Sequence, residues 1–164
     1  MNFMSYFNLY MSFDTQSENY LKQNVSLYEF KMTKLVYVIS KKSNNIINVP
    51  NVYKYSRSTM ELQRIPNMCI SDYYGELWEN VPNQIKLKII QIIQFLFSNN
   101  IIYPDITGYN FIEFDNKLWI IDFAHAFIFN NIVDLTYDKY QYYKFVKKFI
   151  KTNIKDNNWN MEFS

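Results

Sequence analysis

The chain has 164 residues, enough for one domain with a sizeable core, and its 49% hydrophobic and 20% aromatic content excludes a disordered polypeptide. Lys and Arg number 17 against 15 Asp and Glu, a net charge of +2, so charge alone gives no nucleic-acid signal. The single cysteine, Cys69, excludes an internal disulfide and a cysteine-rich zinc site, and it points to a reducing, cytoplasmic compartment.

Residues 1–17 are aromatic without a clean period and read as a docking arm; they have neither the basic start nor the apolar run of a signal peptide. β-branched and aromatic residues between Val25 and Lys42 predict two strands, 26–32 and 35–39, with Thr33-Lys34 as the turn. After the turn signal Ser43-Asn44-Asn45, two extended pieces follow at 50–55 and 59–65. A helix is predicted over 84–97, because Ile85, Ile89, Ile92, Ile93 and Leu96 recur at three- and four-residue steps on one face. Its isoleucine run is too short to span a bilayer. Asp115-Asn116 is a hairpin turn between strands at 111–114 and 117–121. A last helix starts at Leu135 or Asp138 and ends near Lys151, with Tyr142, Phe145, Val146 and Phe149 inward. The polar tail from Asn153 is expected to fray.

The chemistry concentrates around that hairpin. Tyr103-Pro104-Asp105-Ile106-Thr107-Gly108-Tyr109-Asn110 sets Asp105 and Asn110 in the spacing D-x-x-x-x-N, and the apolar run Trp119-Ile120-Ile121 ends on Asp122-Phe123-Ala124. Taken singly, each motif also reads as an Asx turn or a strand-end cap. Together they resemble the catalytic loop H-R-D-L-x-x-x-N and the metal-binding D-F-G of the protein-kinase-like superfamily. The resemblance is specific over 101–127 and follows the family's element order over 50–127.

It implies an α+β, protein-kinase-like fold in a single domain, 1–164, with a truncated, strand-rich small lobe at about 20–66 and a minimal helical lobe at about 67–164. By the same resemblance Asp105 is the catalytic base that accepts the substrate hydroxyl proton. Asn110 holds one Mg²⁺, and Asp122 bridges Mg²⁺ to the phosphates of ATP. Lys41, in Val38-Ile39-Ser40-Lys41, is the candidate phosphate-pairing lysine, or else an exposed strand-end lysine. The loop Asp105-Ile106-Thr107 with Asn110, and the lack of an A-P-E segment after Phe127, are more similar to the compact atypical kinases and small-molecule phosphotransferases. The tRNA-modification-associated small kinases and the aminoglycoside/choline kinase group are of this kind.

Departures from the family matter as much. Tyr103-Pro104 replaces the histidine that braces the loop, and Ala124 replaces a glycine. The only glycines, Gly75 and Gly108, form no glycine-rich phosphate loop. No acid lies between Lys42 and Met60 to partner Lys41. The expected function is a minimal phosphotransferase moving phosphate from Mg-ATP to a hydroxyl acceptor. The alternative is a catalytically dead pseudokinase that acts as a binding or scaffold module with a protein partner. His125 reads as a loop brace and Cys69 as a small core residue. The aromatic cluster 72–78 is expected at the mouth of the nucleotide cleft. The bias toward Asn, Ile, Lys, Tyr and Phe fits an AT-rich genome such as a large DNA virus, with the host cytoplasm or the virion as location.

Overall fold

A computed structural model describes residues 19–162; the expected arm at 1–17 lies outside the described residues. Strands β1 (Asn19–Lys22), β2 (Val52–Ser56) and β3 (Thr59–Gln63) form an antiparallel sheet in the order β1-β3-β2. Arg57 and Ser58, between β2 and β3, both adopt positive φ, the two-residue turn whose twist matches its flanking strands.

The segment expected to form two strands is one helix, α1 (Leu27–Ser40). The Ser26 side chain accepts the Glu29 N–H at 3.0 Å and caps its first turn. Its buried face is Glu29, Met32, Thr33, Val36 and Ser40, mostly polar, whereas Leu27, Tyr28 and Val38 are exposed. An apolar stripe at helical spacing, Met32, Leu35, Val36 and Ile39, is present in the sequence, but the β-branched and aromatic composition around it imitates a strand. Packing of Met32 and Val36 into the main core decides the outcome.

After the short α2 (Ile70–Tyr74), helix α3 (Asn83–Ser98) buries Ile85, Ile89, Ile92, Ile93 and Leu96, the face its spacing predicts. Burial of each such side chain stabilises by about 1.5–3 kcal/mol relative to exposure. Strand β4 (Ile101–Ile102) pairs with β7 (Phe127–Ile128), and β5 (Phe111–Phe114) pairs with β6 (Lys117–Ile120) across Asp115-Asn116, both at positive φ. Helix α4 (Tyr137–Phe149) is capped by Thr136 and buries Tyr143, Val146 and Phe149; Tyr142 and Phe145 are only half-buried. As far as residue 162 the tail is held against the body rather than frayed. Trp159 packs edge-on against Trp78, and Asn160 is buried against the loop that follows β4. Among the described residues no helix is long and apolar enough to cross a membrane.

Candidate active site

The loop between β4 and β5 is held carbonyl by carbonyl. The Pro104 oxygen accepts the Ile106 N–H at 2.9 Å and Asn160 Nδ2 at 2.6 Å. The Asp105 oxygen accepts the Thr107 N–H and Asn110 Nδ2, each at 3.0 Å, and the Ile106 oxygen accepts the Asn160 N–H at 3.0 Å. Buried carbonyls need such partners, so the backbone on both sides of Asp105 is fixed. The Asp105 side chain is itself buried. Its Oδ2 lies 3.4 Å from His125 Nδ1, and its Oδ1 has no hydrogen-bond partner among the described residues. Burial raises the Asp105 carboxyl above the ordinary carboxylate range; His125 pulls the other way and the Asp122 charge adds to the rise. A carboxylate shifted toward neutrality is a stronger proton acceptor.

Tyr103 occupies the place of the missing histidine and braces the loop in its own way. Its ring is fully buried, edge-on to Phe123, and its hydroxyl donates to the Ile121 carbonyl at 2.7 Å. Burial, with the Asp105 and Asp122 charges, holds the phenol well above its usual pKa, so it stays a neutral donor. That bond fixes the residue before Asp122. Asp122 takes φ 61°, and its Oδ1 accepts the Ala124 N–H at 3.3 Å, an Asx turn. Ala124 is not among the positive-φ residues, so the lost glycine is not required at that position.

Asp122 lines a cleft of about 500 Å³ with Lys22, Glu29, Asp72, Ile112 and Ile121. The Lys22 ammonium bridges the two acids, 2.6 Å from Glu29 Oε1 and 2.9 Å from Asp122 Oδ2. Burial would lower the Lys22 pKa, but the Glu29 hydrogen bond and the Asp122 and Glu29 charges outweigh it and leave the group above its usual value. Sequence reasoning missed this pair. The pattern Ser26-x-x-Glu29, a helix-start signature, was the one local signal for it. Lys41 does not reach the cleft. It sits at the C-terminal cap of α1 with its ammonium 4.3 Å above the Tyr37 ring, beside a separate hollow lined by Asn44, Asn48 and Trp119.

Asp105 and Asn110 are joined to each other but are not among the residues lining the cleft. They remain close to Asp122, whose charge acts on Asp105, and the Asn110 carbonyl accepts the Ile121 N–H at 3.0 Å. With its amide nitrogen committed to Asp105, Asn110 has its side-chain oxygen left to offer a cation. One amide oxygen and the Asp122 carboxylate suit a hard ion that keeps most of its waters. Among the described residues no group of three or more His, Cys, Asp and Glu could hold a metal.

Among solved structures, the kinase PK-1 of the Cydia pomonella granulovirus superposes on this chain with a TM-score of 0.52 at 14% identity, over 80% of this chain. The fold is kinase-like. This chain spans about half of the granulovirus kinase, 55% of its length. No family model matches the sequence, and no curated protein matches it. Lys22 of β1 and Glu29 of α1 form an ion pair on the wall of the cleft. Of the cluster 72–78, Asp72 lines the cleft, whereas Trp78 is buried in the core against Phe149 and Trp159. Cys69 is half-exposed rather than a core residue, with Sγ 3.0 Å from Asp72 Oδ2; burial and that carboxylate push the thiol pKa up, away from a nucleophilic thiolate.

Proposed function

We propose that this chain is a minimal kinase-like phosphotransferase that binds Mg-ATP and passes the γ-phosphoryl group to a hydroxyl acceptor. The observation that carries this reading is the Lys22 ammonium held between Glu29 and Asp122 on the wall of the cleft. Lys22 pairs the nucleotide phosphates and Glu29 keeps it aimed. Asp122 and Asn110 hold Mg²⁺, which when bound neutralises charge on the triphosphate. Asp105 accepts the acceptor's proton. Within one domain, the cleft divides a reduced small lobe, about 20–66, from a helical lobe, about 67–164. The composition and the likeness to a granulovirus kinase support a large DNA virus as source and the host cytoplasm or virion as the place of action. One observation favours a pseudokinase that binds nucleotide and a protein partner: Asp105 and Asn110 do not line the cleft.

Melting curves and transfer of labelled γ-phosphate separate the two. Mg-ATP at a hundred times its Kd adds about 2.7 kcal/mol of stability. Asp122→Asn loses that gain, and Asp105→Asn keeps it but abolishes transfer. A gain with no transfer or ATP hydrolysis by the unmodified chain selects a nucleotide-binding pseudokinase; no gain at all refutes the phosphotransferase and leaves the pseudokinase as a scaffold module.

A further inference from the structure

The stretch 137–155 carries charge unlike the rest of the chain. Its six lysines, Lys139, Lys144, Lys147, Lys148, Lys151 and Lys155, face one acid, Asp138, while elsewhere 11 basic residues stand against 14 acidic ones. The near-neutral total thus hides a net −3 body and a net +5 segment. Four of the lysines, Lys144, Lys147, Lys148 and Lys151, line an open hollow of about 530 Å³ on α4 together with Gln141 and Phe145. No carboxylate lines it, and none of the four ammonium groups forms an ion pair with a described residue.

A solvated helix face does not account for this arrangement. The helix dipole favours Lys147 and Lys148 in the last turn, but not Lys144. Lysines three and four apart repel and weaken the helix. The rings of Tyr140 and Tyr143 lie under Lys144 and Lys147, 5.6 Å and 5.4 Å from the ammonium groups, and support them. An anion seated in the hollow would relieve the repulsion.

We propose that the hollow on α4 is a sequence-independent binding surface for the phosphodiester backbone of a single-stranded nucleic acid. The side chains favour this occupant over the other polyanions. Lysine is depleted at protein–protein interfaces, which argues against an acidic protein. A membrane surface calls for an apolar ridge that inserts beside the lysines, whereas here the aromatic residue, Phe145, is half-buried within a hollow. An open, shallow basic surface with a partly exposed aromatic ring, Phe145, suits a strand whose phosphates meet ammonium groups while a base lies against the ring. The hollow has no arginine and so no fork for base edges, hence no sequence preference.

The test is fluorescence polarisation of labelled oligo-dT and oligo-rU with the full chain, from 50 to 200 mM salt. Four phosphate contacts give a slope of log K against log salt of about −2.8, and Lys144→Gln with Lys148→Gln halves it to about −1.4, a loss of about 25-fold at 0.1 M. That variant melts no lower than the unmodified chain, since repulsion is relieved. Lys31→Gln with Lys34→Gln, equal in charge and exposed on α1, leaves binding unchanged. The proposal falls if binding is absent or salt-insensitive, or if the α1 variant weakens it equally. It also falls if phosphatidylserine vesicles or poly-glutamate bind this face more tightly than the oligonucleotides at the same salt. None of these readouts depends on nucleotide turnover.

Discussion

Asn160→Ala is the sharpest probe of how the loop around Asp105 is held. The substitution deletes a donor 2.6 Å from the Pro104 carbonyl and an acceptor 3.3 Å from the Glu162 N–H, while the backbone bond from residue 160 to the Ile106 carbonyl persists. A buried hydrogen bond contributes about 0.5–1.5 kcal/mol net. The Pro104 oxygen keeps the Ile106 N–H, so the larger penalty for an orphaned carbonyl does not apply. The loss is therefore about 1–2 kcal/mol, or about 2–8 °C in Tm for a domain of this size. Thermal melts read that loss, and NMR titration of the Asp105 carboxyl reads the loop directly. We expect the Asp105 pKa to move while the Mg-ATP stabilisation persists, because Lys22, Glu29 and Asp122 are untouched. A variant that melts within 1 °C of the unmodified chain, with Asp105 titrating as before, would show that the tail merely rests on the loop.

Lys22→Met leaves the Glu29 carboxylate buried without its ammonium and should cost about 3–5 kcal/mol. Lys22→Met with Glu29→Leu should restore the melt but not nucleotide binding, and Lys41→Met should leave both intact; loss of binding in Lys41→Met alone would reverse the assignment. Because the folded-state pKa of Asp105 lies above its ordinary 3.8, the native state holds a proton that the unfolded chain releases. Stability from this group falls as pH rises above the ordinary 3.8 and through the raised folded-state pKa, so Asp105→Asn should gain on the unmodified protein in urea midpoints over that rise. A constant difference would contradict the shift. A Cβ added at Gly108 would lie 2.3 Å from Ser71 Oγ and 3.1 Å from its backbone nitrogen, so Gly108→Ala should cost about 1–3 kcal/mol. Adding Ser71→Gly should recover part of it, and a neutral Gly108→Ala would mean that α2 shifts freely.

What was legible in the sequence had a local cause. The isoleucine face of α3 follows from side-chain spacing, and Asp115-Asn116 supplies the positive-φ pair a tight hairpin needs. The D-x-x-x-x-N loop kept its spacing whatever surrounded it. What was hidden had a distant cause. Helix α1 buries Glu29 and Thr33, residues that patterning assigns to the surface, and Glu29 is buried because Lys22 meets it. Lys41 sat in the more lysine-like sequence context but ends up over Tyr37. The left-handed residue after β6 is Asp122 and not Ala124, which stands where the resemblance has glycine, and the Asp122 carboxylate stabilises that backbone locally. Trp159 and Asn160 lie in a polar tail with no periodicity, and only their tertiary partners reveal them.

Asn160 follows Pro104 by 56 residues, and this separation has a meaning in time. A ribosome adding about 5–20 residues per second delivers the clamp roughly 3–11 s after the loop it holds. During that interval the sheet, α1 and the bond between Lys22 and Glu29 can already form, while the backbone flanking Asp105 waits for its last partners. A nascent chain thus passes through a stage with the Lys22–Glu29 wall of the cleft formed and the loop unset. Chains arrested on the ribosome between those two points would populate that stage for as long as the arrest lasts.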